Sequence, residues 1–87
     1  MTLVEAAHLA QEWSGYKVSD AGDCGDKWVF GFEEFKEGFG GLVVLVEKKS
    51  GKCEELSSAE FIYSFLEGEL TYKRIALPKE RTNGEEV

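Results

Sequence analysis

A single histidine, His8, stands three residues after Glu5 and four before Glu12, and on a helix those three side chains share one face. A Glu-x-x-His pair holds metal in carboxylate-bridged di-metal bundles, but that chemistry needs a second copy on another helix. The chain has no such copy, so the trio reads as a solvated face with a weak His8–Glu12 pair. Nor is any serine or cysteine tied to His8 as a nucleophile to its base. Asp20, Asp23 and Asp26 fall three apart around Gly22 and Gly25. A calcium loop alternates its ligands at every second residue and ends in a bidentate glutamate, so these aspartates read as turn formers. Gly38-Phe39-Gly40-Gly41 leads into a strand and lacks the lysine and hydroxyl residue of a phosphate loop, which leaves it a flexible turn. Asp26 with Tyr16 comes nearest to an acid–base pair, and nothing in their spacing makes them neighbours. No set of residues reaches a catalytic or metal-binding signature, and the chain is read as a non-enzyme without a metal or cofactor.

The chain has 87 residues, enough for one domain with a modest core, and 43% hydrophobic residues with eleven aromatics suit a folded protein. Cys24 and Cys53 are too few for a disulfide framework and lack any zinc spacing, so reduced thiols are expected. The start, Met1-Thr2-Leu3-Val4-Glu5, has no basic region before its apolar residues, and no apolar run nears the ~20 residues of a membrane span. A cytoplasmic location is the expectation. The net charge of −7 is uneven: residues 1–47 carry nine acids and three bases, and residues 48–87 carry eight and seven. Nucleic acid and anionic membrane would both be repelled, whereas a basic protein partner would be attracted. Burial in a homodimer would also help a core of this size.

The elements that position these residues follow from pattern and punctuation. Thr2 with Glu5 has capping-box spacing, Gly15 marks a stop, and Leu3, Ala6, Ala7, Ala10 and Trp13 form the apolar stripe of a first helix. Tyr16 to Asp20 reads as a strand, and Ala21 to Asp26 as a turn rich in glycine and aspartate. Lys27 to Phe35 alternates, with Trp28, Phe30 and Phe32 on the face expected to meet the helices. Gly31 inside that strand marks a bulge or a close crossing and leaves room for the Trp13 ring. Lys36 to Gly41 connects to Leu42–Lys48, apolar at five successive positions as a central strand is, and Lys48 to Gly51 turns the chain into Lys52–Leu56. Ser57 and Glu60 form a second capping box, Leu56 and Phe61 a staple, and Gly68 a stop; Phe61, Ile62, Phe65 and Leu66 are the expected buried stripe. Leu70 to Leu77 adds an edge strand, residues 1–78 make one domain, and 79–87 read as a frayed polar tail. The class is α+β: an antiparallel meander of three to five strands flanked by an N-terminal and a C-terminal helix, α-β-β-β-β-α.

This arrangement raises one geometric question. If both helices cover the Trp28–Phe30–Phe32 face, then Val29, Val43 and Leu45, with Phe35 and Phe39 beside them, are left open to a protein partner or a second copy. Glu33, Glu34 and Glu37 would give that patch an acidic rim suited to a basic surface. If the helices flank the sheet, the same residues are core. The alternative role is a small-molecule or regulatory domain whose ligand sits between sheet and helix against Trp28, Phe30 and Phe65.

The series of a short capped helix, the Trp28-Val29-Phe30 strand, a glycine-ended loop, a valine-rich strand ending in Lys48-x-x-Gly51 and a second helix resembles small bacterial domains of the immunity protein 35 group, over roughly residues 3–67. That resemblance implies an acidic protein that binds and neutralises a toxin enzyme of the same bacterium, with no catalysis of its own.

Overall fold

Both helices begin where a side chain can satisfy the orphan amides of a first turn. In α1 (Leu3–Ser14) the Thr2 hydroxyl accepts from the Glu5 N–H at 3.1 Å while the Glu5 carboxylate accepts from the Thr2 N–H at 2.8 Å. In α2 (Ser58–Leu66) Ser57 and Glu60 repeat the exchange at 3.0 and 2.9 Å. Gly15, at φ 80°, adopts the left-handed conformation that ends α1, and its N–H returns to the Gln11 carbonyl at 2.8 Å. The computed structural model describes residues 1–35 and 41–77. Glu37 and Phe39, the 36–41 connection up to Gly40, and the tail expected at 79–87 lie outside the described residues.

Between the helices lie β1 (Val18–Asp23), β2 (Lys27–Phe32), a 3-10 turn (Glu33–Phe35), β3 (Leu42–Glu47) and β4 (Cys53–Ser57), and β5 (Lys73–Ile75) follows α2. The sheet order is β4-β3-β2-β1-β5 with every adjacent pair antiparallel. The protein is thus a single α+β domain whose first four strands form the expected meander. The fifth does not extend it: after α2 the chain crosses the sheet and pairs β5 with β1 at the far edge.

Two helices take two faces. Trp28, Phe30 and Phe32 point to the α1 side, where Ala6, Ala7 and Ala10 of α1 pack with Ala21, Phe30, Phe32, Val44 and Val46. Phe30, Val44 and Val46 are fully buried there. The small alanine side chains let the helix backbone lie close to the aromatic strand. On the opposite side Val29, Leu45 and Cys24 form a second, smaller cluster, against which Val43, Leu56, Phe61 and Leu70 pack. The five apolar positions of β3 are explained by this: alternate residues feed alternate cores.

Two local expectations change. Ala21-Gly22-Asp23 is strand, not turn, and the hairpin loop shrinks to Gly25-Asp26, closed by the Cys24 N–H on the Lys27 carbonyl at 2.8 Å. With Gly25 at φ 87° and no positive φ at Asp26, this is the type II′ geometry that matches strand twist. The small residues of β1 serve close approach instead: Ala21 packs with the alanines of α1, and a side chain at Gly22 would collide with the Tyr72 ring. Trp13, counted in the buried stripe of α1, is 54% exposed and does not reach Gly31. The group over Gly31 is Asp20, whose Cβ would lie 3.6 Å from an added methyl, next to a bulge in β1 between Val18 and Asp20.

Candidate functional site

The structure disperses most of the residues that sequence patterns bring forward. Asp20 binds Arg74 (Oδ1 to Nη2, 3.0 Å), and Asp23 binds Lys48 (3.0 and 3.1 Å), so these two aspartates turn to different cations. The Gly25 N–H, and after it Lys48, hold the Asp23 carboxyl below the ordinary carboxylate range. Lys48 also lies over the Trp28 ring, 5.2 Å from its centroid. Asp26 sits in the hairpin loop and Tyr16 at the other end of β1, where its ring meets Phe35 at 4.9 Å and Phe32 at 6.1 Å, so the two form no acid–base pair. His8, Glu5 and Glu12 are exposed on α1, and no group of three metal-ligating side chains is assembled among the described residues.

The ligand pocket expected at Trp28, Phe30 and Phe65 is overturned by the two-faced packing. Trp28 and Phe30 belong to the α1 side and Phe65 to α2, so the sheet separates them. The open patch expected at Val29, Val43 and Leu45 is likewise corrected, since Val29 and Leu45 are buried and Val43 is half-buried beside Phe61. Phe35 faces the other core, and Glu33 and Glu34 are exposed on the 3-10 turn.

Both thiols are chemically quiet. Burial, then the charge of Asp23, pushes the Cys24 thiol up from 9.0 to about 11, and burial raises Cys53 as well. A rise from 9.0 to about 11 cuts the thiolate fraction at neutral pH about a hundredfold. Labelling with a chromogenic disulfide is therefore expected to modify Cys53 first and Cys24 only as the chain unfolds. A time course with and without denaturant, repeated on Cys24→Ser, checks the order. Rapid labelling of Cys24 in the native protein would contradict this burial.

What the structure does assemble is an apolar surface on α2. The helix has nine residues, SAEFIYSFL, and none of them is fully buried. Phe61 turns inward onto the Val29–Leu45 cluster, whereas Tyr63 (65%) and Leu66 (70%) stand in solvent with Ile62 and Phe65 nearly half exposed. Tyr72, on the return to β5, meets Phe61 edge-on at 5.6 Å and Phe65 at 6.3 Å, and so ties this ridge to the sheet. Alongside runs a groove of about 650 Å³, floored by Gly22, Gly31 and Val29 and walled by Val43, Phe61 and Tyr72. The Asp20–Arg74 pair bounds it, and the Ser19 hydroxyl donates to the second Asp20 oxygen at 2.9 Å.

The electrostatic setting is one-signed. Residues 53–72 contain five glutamates and no lysine or arginine. Averaging charge over half-chains hides this run. A second available signal was the helix itself: six of its nine residues are apolar or aromatic, on every side, which one sheet face cannot bury.

In comparisons with known proteins, no family model, no curated protein and no solved structure matches the chain.

Proposed function

We propose that the chain is a non-enzymatic protein-binding module that docks a basic partner on the α2 ridge, in the manner of an immunity-type inhibitor of a bacterial toxin. The observation that carries this reading is the exposure of four large apolar side chains, Ile62, Tyr63, Phe65 and Leu66, on one short helix. An apolar cluster rimmed by charge is the anatomy of a docking surface, with aromatic anchors at its centre. The five glutamates of residues 53–72 favour a partner with lysines and arginines around an apolar cleft. They disfavour a second copy of the chain, which would bring the same charges together. The neighbouring groove suits one inserted anchor side chain from the partner.

The test begins with proteins retained from a lysate of the source cell by the immobilised chain, compared with those retained by a Tyr63→Asp/Leu66→Asp variant. Both residues are largely exposed, so the variant should fold normally. A partner is expected that binds the native chain at least ~30-fold more tightly than the variant, a hot-spot loss of about 2 kcal/mol, with affinity falling as salt rises. If that partner is an enzyme, its activity falls on binding. A monomeric native chain retaining no protein better than the variant does would overturn the proposal.

A further inference from the structure

A different surface lies along the open edge of β4. The Glu47 N–H donates to the Lys52 carbonyl and the Ser58 N–H to the Gly41 carbonyl, both at 2.9 Å, at the two ends of the β3–β4 ladder. In an antiparallel ladder, residues facing the neighbour alternate with residues facing away. With Leu45 opposite Glu54 and Val43 opposite Leu56, those two residues of β4 turn their backbone groups toward β3. Cys53 and Glu55 therefore turn their N–H and C=O groups outward, and among the described residues no strand lies beyond them. Ser57 differs, because its N–H is already held by the Glu60 carboxylate.

The start of this edge is flanked by two hollows, one on each face of the sheet. On the α1 side Leu9, Trp13 and Cys53, with Glu12 and Lys52, line a mostly apolar hollow of about 560 Å³. On the α2 side Lys27, Leu45, Glu47 and Glu54, again with Lys52 and Cys53, line a smaller one of about 320 Å³. An added strand sends successive side chains to opposite faces, so neighbouring residues of one extended segment would enter the two hollows in turn. The two linings hold Glu12, Glu47 and Glu54 against Lys27 and Lys52, with Lys27 already 3.6 Å from Glu54, and Glu55 stands exposed on the same strand.

We infer that β4 is a strand-addition site for an extended peptide segment in which apolar and basic residues alternate. The residue opposite Cys53 places an apolar side chain against Leu9 and Trp13. The next places a lysine or arginine beside Glu54, and the backbone amides of Cys53 and Glu55 supply the pairing. A second copy pairing about Glu54 or Glu55 would set glutamate against glutamate, whereas pairing about Cys53 would set Glu54 opposite Lys52, so a dimer through β4 is the outcome the test must separate from peptide binding. This site is distinct from the α2 ridge, and the Tyr63→Asp/Leu66→Asp variant leaves it intact.

The probe is a short synthetic peptide alternating lysine and leucine, titrated into the full chain and followed by amide NMR spectra and, in a Trp28→Phe background, by Trp13 fluorescence. A glutamate-for-lysine peptide serves as control. With the lysine peptide, the Cys53 and Glu55 amides are expected to shift and gain protection from exchange, and Trp13 emission to move to the blue. Glu55→Pro removes an outward N–H without breaking the ladder to β3, and should weaken binding by about tenfold. Glu54→Lys should reverse the preference between the two peptides, a readout that does not depend on the proline variant folding. Equal binding of the two peptides by the native chain, shifts confined to α2, or no shift at β4 would each overturn the inference, as would a dimer with β4 at its interface.

Discussion

Phe30→Ala is expected to cost about 3–5 kcal/mol and to leave the chain at or below the edge of folding. At roughly 0.05–0.15 kcal/mol per residue, a chain of 87 residues has a total stability of roughly 4–13 kcal/mol, so one such loss can consume most of it. Among the described residues Phe30 is the largest side chain with no exposure at all, and it sits in the cluster formed by the alanines of α1, Val44 and Val46. Those neighbours cannot fill the space. The alanines have no longer rotamer to offer, and the valines are held at χ1 by their branching. A cavity therefore remains, and its cost adds to the lost transfer energy. Denaturant titration followed by far-ultraviolet circular dichroism measures the change. A midpoint within experimental error of the native chain would show that Phe30 is not the keystone of this face.

Leu45→Lys tests the other face, and with it the two-sided architecture. Leu45 is 2% exposed and lies with Val29 and Cys24 beneath Phe61. A lysine there lies across the ladder from Glu54 and on the same face as Glu47, so its ammonium must either remain desolvated beneath Phe61 or swing out of the cluster to those carboxylates and give up the packing of Leu45 against Val29 and Phe61. An expected loss of about 3 kcal/mol or more follows, comparable to that of Phe30→Ala. Leu66→Lys is the control: the same change on the exposed ridge of α2 should stay within about 0.5 kcal/mol of the native value. A sheet with one open face would tolerate Leu45→Lys as readily as Leu66→Lys, so equal stabilities for the two variants would refute the packing of α2 described above. The comparison also separates fold from function, because Leu66→Lys is expected to impair docking while leaving the fold alone.

The contrast between Leu45 and Leu66 illustrates why an apolar patch is hard to locate from sequence. Both leucines stand in apolar runs, and hydrophobic spacing assigns Leu66 to the buried stripe of α2. The sheet can bury only one side of that helix, and Phe61 occupies it. The expected docking surface thus moved from Val29, Val43 and Leu45 to Ile62, Tyr63, Phe65 and Leu66 once the covering helix had a position. Of the acidic rim expected at Glu33, Glu34 and Glu37, Glu33 and Glu34 are exposed on the 3-10 turn, whereas averaging charge over half-chains hides the run Glu54, Glu55, Glu60, Glu67 and Glu69 around α2.

By itself the sequence determined what is settled within a few residues of chain. The two capping boxes at Thr2–Glu5 and Ser57–Glu60, the glycine stop after α1 and the alternation of Trp28, Phe30 and Phe32 are short-range hydrogen bonds, backbone dihedrals and side-chain periods. Only the tertiary structure decided that α1 and α2 take opposite faces, that Ala21-Gly22-Asp23 is a strand beneath close neighbours, and that β5 returns to pair with β1. Each of these depends on groups brought together from distant parts of the chain: Ala21 against Ile75, Gly22 against Tyr72, Val29 and Leu45 against Phe61. Local propensity is blind to such partners, because the same small or apolar residue suits a turn, a core or an open surface until something lies across it.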